Sequence, residues 1–191
     1  KMLSVVKRYY SSFYATSEQI KEIEGEEEFC VHQHHNGLCV LTLGPNHPII
    51  KDDLKVLRVD FNVGNADRSK NSVRGKKKKG GLQLQPQSIL CRIYTDETTS
   101  SDVPPAKIQK TDEQHSTSEK NWNMYACIKG TLIEPNLSLL EHPELVQQKY
   151  DTEGYIGIIQ PYRSQTKIVT DSLLPELEYL EYHKKKTIIN N

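Results

Sequence analysis

The sequence lacks several features that would have narrowed its role at once. It has no net charge, because 25 lysines and arginines balance 25 aspartates and glutamates over 191 residues. A neutral chain exerts no long-range pull on nucleic acid or anionic lipid, so electrostatic recognition has to be local. No apolar run approaches the roughly 20 residues needed to span a bilayer. The first residues, KMLSVVKRYY, hold too short an apolar stretch for a signal sequence. The four cysteines, Cys30, Cys39, Cys91 and Cys127, form no C-x-x-C pair and stand mostly among Val, Leu and Ile, as buried thiols of a reducing compartment do. There is no G-x-S-x-G turn to expose a nucleophilic serine. Paired carboxylates occur only in runs such as Glu26–Glu28, where water relieves their repulsion and no acid/base division of labour arises. These absences point to a soluble, intracellular protein that is not an enzyme.

What is present is segregated charge and strand-like patterning. EQIKEIEGEEE, residues 18–28, holds six glutamates and one lysine, whereas Lys76–Lys79 and Lys184–Lys186 are basic blocks. The hydrophobic share of 36% against 26% charged residues describes a folded core diluted by polar chain. SVVKRYYSSFY, residues 4–14, spaces Val5, Val6, Tyr9, Tyr10, Phe13 and Tyr14 at threes and fours behind Ser4, which predicts a short amphipathic helix. The acidic run after it reads as a solvated linker or irregular helix. In EFCVHQHHNGLCVLTL, residues 28–43, Asn36-Gly37 is a hairpin signal. A two-residue turn there would set His34 opposite Cys39 and His32 opposite Leu41. Strands are further predicted over Leu54–Val63, Ile89–Tyr94, Trp122–Leu132 with a bend at Gly130, and Gly154–Ile159. Residues 97–121 carry one sizeable apolar side chain, Ile108, and read as a long disordered insertion. From Ser172 onward, Leu173, Leu174, Leu177 and Leu180 form a helical stripe ending in lysines. The expected organisation is a helix and acidic linker over 1–28, a mainly β domain over 29–165 interrupted by 97–121, and a helix and tail over 166–191.

Two passages resemble a known fold. GTLIEPNLSLLEHPELVQQKYDTEGYIGIIQP, Gly130–Pro161, resembles the C-terminal half of glycine cleavage H proteins, and RGKKKKGGLQLQPQSILCRIY, Arg74–Tyr94, occupies the place of the basic turn before their lipoyl-bearing hairpin. The resemblance implies a barrel-sandwich hybrid, the biotinyl/lipoyl fold. Over most of its length the chain is similar to the H-protein-like Abitram (Simiate) family, through VVKRYYSSFY, FCVHQHHNGLCVLTLGPNHPII, VRGKKKKGG, LCRIY and the Gly130–Pro161 passage. That similarity implies an actin-binding protein that promotes actin polymerisation in cell projections, is found in nucleus and cytoplasm, and has a transcription-related role. The insertion at 97–121 is longer than the family loop.

Candidate sites follow from both readings. The carrier lysine of H proteins lies about eleven residues before the glycine matched by Gly130, which lands on Glu119. Lys120 beside it lacks the following alanine and the tight turn, so no lipoyl or other cofactor is expected. Cys30, His32, His34 and Cys39 have ligand types that suit zinc. Alternate strand residues nevertheless stand roughly 6–7 Å apart, too wide for a tetrahedral cage without a bulge, and no metal is expected. Lys76, Lys77, Lys78 and Lys79, with Lys70 and Arg74 nearby, concentrate positive charge on one glycine-bounded turn. They could meet an acidic protein surface, actin being the partner the resemblance implies, or nucleic-acid phosphate. They could equally keep a hairpin tip soluble. Tyr9, Tyr10, Phe13 and Tyr14 are of the kind interfaces favour, or they cover an open seam of the domain. The alternative role is a nuclear scaffold or chaperone of a multiprotein assembly, with the aromatic ends as its contact.

Overall fold

The computed structural model describes residues 8–75, 80–96, 119–162 and 172–189. The first three strands of the described residues are antiparallel, β1 (Tyr10–Ala15), β2 (Phe29–His34) and β3 (Cys39–Leu43). A short helix α1 (Pro48–Lys51) then leads to β4 (Val56–Asp60), β5 (Asn62–Val63) and β6 (Ala66–Asp67). After a 3-10 turn over Arg68–Lys70 come β7 (Gln83–Leu84), β8 (Ile89–Asp96), β9 (Glu119–Tyr125) and β10 (Gly130–Pro135). Two short helices, α2 (Ser138–Glu141) and α3 (Leu145–Gln148), precede β11 (Gly157–Pro161) and β12 (Leu174–Pro175), and α4 (Glu176–Ile189) follows. One sheet runs β12-β1-β2-β3-β11-β10-β7, a second runs β4-β8-β9, and β5 pairs with β6. The fold is mainly β, and its sheets share one core without closing into a barrel.

Alternation builds that core. Phe29, Val31, Leu41 and Leu43 point inward from β2 and β3, while Leu90, Ile93, Trp122 and Met124 answer from β8 and β9. Burial of such side chains contributes roughly 1.5–3 kcal/mol each before conformational entropy is charged against it. All four cysteines are buried free thiols, as their apolar neighbours foretold.

Four expectations are corrected. The segment expected to be an N-terminal helix is a strand at Tyr10–Ala15, which pairs along its whole length with β2 and with β12 at Phe13 and Tyr14. Its residues satisfy a period of two once pairing partners exist, and partners outweigh local propensity. The acidic run is no solvated linker, since Ile20 and Ile23 are buried in the core and Glu28 is buried at the start of β2. The β2–β3 turn spans three residues. His34 N–H donates to Leu38 O, Gly37 N–H donates to His34 O, and Gly37 takes φ 87°, the left-handed conformation of a bulged three-residue hairpin. His32 therefore faces Val40 and Gln33 faces Cys39. Finally, Glu119–Asn121, placed in the insertion, belong to β9 and pair with Asp96, Thr95 and Tyr94. The remainder of that insertion, 97–118, lies outside the described residues.

The C-terminal helix lies where helical periodicity put it, but a different face is buried. Leu177 is 78% exposed and Leu180 49%, whereas Tyr179 is 3% exposed. The buried Leu173 precedes the helix. No helix among the described residues is long and apolar enough to cross a membrane.

Candidate protein-binding surfaces

The described residues on either side of the lysine run meet in a closed neck. Asp67 caps the 3-10 turn by accepting from Ser69 N–H, and Lys70 Nζ lies 3.0 Å from Asp67 Oδ2. Asn71 ties the neck to β10: its amide donates to Leu132 O at 3.0 Å and Ile133 O at 3.3 Å, and its oxygen accepts from Leu82 N–H at 2.9 Å. Both strands of the neck are thereby held by one side chain. Gly80, at φ 87°, approaches so closely that a Cβ would stand 2.5 Å from Ser72 O. Lys70 and Arg74 are exposed on this neck. Lys76, Lys77, Lys78 and Lys79 lie outside the described residues.

The four aromatic residues divide between two environments. Phe13 sits in the main core, and Tyr14 stacks on Tyr179 with ring centroids 3.8 Å apart. Both are buried, so they hold the sheet and α4 together and offer no surface to a partner. Tyr9 is exposed and contacts His35 at 6.3 Å; Tyr10 is half-buried against His34 at 5.2 Å and His32 at 6.5 Å. A cleft of about 330 Å³ opens beside Tyr10, His32, Val40, Tyr155 and Ile158. Sequence reading did not associate His34 and His35 with the tyrosines, because strand pairing across β1 and β2 brings them together. A hairpin turn opposite an aromatic strand was the available signal.

Geometry bears on the other candidates too. Cys30 and His32 share the outer face of β2, while Cys39 points into the core from β3. The one-residue shift in register thus separates the ligand types that seemed able to converge. Among the described residues, no three metal-binding side chains gather. Burial pushes the Cys30 and Cys39 thiols up to about 12, which keeps them protonated and poorly nucleophilic at neutral pH. Ser12 Oγ and His32 Nδ1 are 2.9 Å apart, and burial lowers the affinity of His32 for a proton. Lys120 is a strand residue whose ammonium lies 3.9 Å above the Trp122 ring, not a lysine held out on a hairpin tip.

A second set of buried polar groups fastens α4. Glu28 accepts from Asn46 N–H at 2.7 Å and from the Tyr179 hydroxyl, and it meets His183 Nε2 at 2.9 Å. The Asn46 amide donates to the Tyr179 hydroxyl at 2.5 Å. Next to this cluster, Lys51 Nζ and Lys186 Nζ approach Glu26 at 3.0 and 3.5 Å.

Two other groups titrate against the fold in opposite directions. His47 is buried against Phe29 and Trp122, and desolvation, with the nearby Lys120 charge, lowers it from 6.5 to about 3. Desolvation, with the Glu24 charge, raises Glu27 to about 7 despite the opposing Lys120. Between pH 3 and 6.5 the unfolded chain binds the His47 proton and the native chain does not, so this contribution to stability falls on acidification. Between pH 4.5 and 7 the native chain holds the Glu27 proton longer, so that contribution falls as pH rises. The slopes oppose each other between pH 4.5 and 6.5. Glu27→Gln is expected to unmask the His47 slope, about 1.4 kcal/mol per pH unit at most, in urea titrations over that window. An unaltered pH profile would refute the pairing.

No protein-family model matches the chain. It is 35% identical over 189 residues to Protein Abitram of Danio rerio, covering 97% of this chain and 92% of the relative. It is 33% identical to Protein Abitram of Gallus gallus, covering 94% and 90%, and 29% identical to that of Homo sapiens, covering 96% and 88%. Among solved structures it is similar to a glycine cleavage system H protein from Mycobacterium marinum, with a TM-score of 0.48 at 10% identity over 90% of this chain and 96% of that one.

Proposed function

Because the chain belongs to the Abitram family, we propose that it is a non-enzymatic protein-binding module whose basic turn engages an acidic protein surface. Actin is the partner that the family resemblance implies. The observation that carries this reading is the Asn71 clamp, which fastens the neck of the turn to β10 and Leu82. A held neck restricts where Lys70 and Arg74 can go, and less ordering entropy is lost on binding. Positive charge on such an element steers encounter and fixes orientation more than it adds affinity. Action in nucleus, cytoplasm and actin-rich projections belongs to the same proposal.

Changing Lys76, Lys77, Lys78 and Lys79 to Glu is expected to raise the dissociation constant in actin co-sedimentation by about tenfold or more. The thermal midpoint should stay within a degree or two. An unchanged constant with an intact fold refutes the site.

The exposed Tyr9 and His35 contact and the adjoining cleft favour a second reading, a scaffold in a nuclear multiprotein assembly. Size-exclusion chromatography with pure actin, set against affinity capture from nuclear extract with and without Tyr9→Ala, separates the two.

A further inference from the structure

A slot of about 900 Å³ lies on a different part of the molecule, between the acidic β1–β2 connection and the ends of β8 and β9. Its apolar surface comes from the half-buried Leu54 and Pro48 and the uncovered edge of the otherwise buried Trp122, and its carboxylates are Glu24, Glu26, Glu27, Asp52 and Asp96. Glu26 is matched by Lys51 and Lys186. Against the remaining four, Lys120 is the one cation in the lining among the described residues, and its ammonium already rests on the Trp122 ring. The slot therefore shows, with a residue of its own, that a cation on an alkyl stem can be seated there. Among the described residues Glu27 makes no ion pair, and burial and the Glu24 charge raise its pKa to about 7.

The distribution of charge identifies the class of occupant. No three of these carboxylates converge closely enough to hold a metal ion, so the negative charge is spread along the slot. Nucleic acid and anionic lipid carry the wrong sign. We propose that the slot docks an extended lysine- or arginine-rich segment of a partner protein. Its stems lie along Leu54 and Pro48 and over the Trp122 edge that Lys120 now covers, and its charged heads meet Glu24, Glu27, Asp52 and Asp96. Aromatic faces attract such heads, and spaced carboxylates set their register. The proposal is independent of the basic turn, whose charge selects the opposite kind of surface.

The test uses the full chain and a fluorescein-labelled peptide of about eight residues, alternating lysine and glycine, which spans roughly 25 Å when extended. Anisotropy reports binding, and emission from Trp122, the sequence's one tryptophan, reports its place. Binding should shift that emission and weaken with salt. A Glu24→Gln, Glu27→Gln, Asp96→Asn variant should raise the dissociation constant by about tenfold, while Lys70→Gln with Arg74→Gln should leave it within about twofold. Lys120→Gln clears the Trp122 ring and one positive charge, so it should tighten binding several-fold, a gain that misfolding does not produce. The proposal is overturned if the triple variant binds as the parent does, if Lys120→Gln fails to tighten binding, or if Trp122 emission does not respond. It is equally overturned if a glutamate–glycine peptide binds as well, or if the signal tracks self-association in sedimentation.

Discussion

Replacing Glu28 with Ala is expected to lower the free energy of unfolding by about 3–5 kcal/mol, because two buried donors lose their acceptor at about 1–3 kcal/mol each. Glu28 is 2% exposed and serves three partners in two parts of the chain: Asn46 in the loop after β3, and Tyr179 and His183 on α4. Its removal leaves the Asn46 N–H without that acceptor and the Tyr179 hydroxyl without its own, each inside the protein. Gly44 shows how closely the site is built, since a Cβ there would meet Glu28 Cγ at 2.8 Å. Urea denaturation should show the loss, with a smaller one for Glu28→Gln, whose amide oxygen still accepts. Because α4 is held by this cluster and by the Tyr14–Tyr179 stack, trypsin should cut faster at Lys184–Lys186 in Glu28→Ala. Wild-type stability together with unchanged cleavage would mean that the helix is held by something else.

Gly154→Ala should be comparably damaging, by about 3 kcal/mol or more, because a backbone atom blocks the added methyl. An ideal Cβ at Gly154 would stand 2.0 Å from Leu145 O and 2.9 Å from Lys149 O. The loop has little room to yield. Gly154 N–H donates to Lys149 O, and the Asn136 side chain donates to Glu153 O and Tyr155 O on either side. Immediately beyond, Ile156 is fully buried and leads into β11. Gly64→Ala is the matched control. It carries a positive φ of 63° with nothing among the described residues within 4 Å of its Cβ, so only backbone strain of about 1–2 kcal/mol applies. Equal midpoints in urea for the two variants would contradict the steric account.

The β3 and β8 strands were legible because their information is local: alternation, apolar content and bounding turn residues suffice. The hairpin was legible as a hairpin, yet its register was not. Asn36-Gly37 serves both two- and three-residue turns, and the choice moved His32 from Leu41 to Val40 and separated Cys39 from Cys30 and His32. β1 was misread because its pairing partners are distant in sequence, β2 around 30 and β12 around 174. A window of a dozen residues cannot contain them. The acidic run concealed Ile20 and Ile23, two apolar residues among six glutamates, which anchor it to the core. At the C-terminal helix the leucine stripe was the stronger apolar signal, but the helix packs through Tyr179 because Tyr14 and Glu28 wait beneath it.

The sequence by itself determined the mainly β class, the buried thiols and the presence of a C-terminal helix, since each follows from residue type and short-range period. Tertiary structure decided the register of the hairpin, the strand at the start of the chain, the face on which the last helix lies, and the acidic slot. These depend on which distant segments meet, and the free energy of meeting resides in pairs of residues that no local pattern displays.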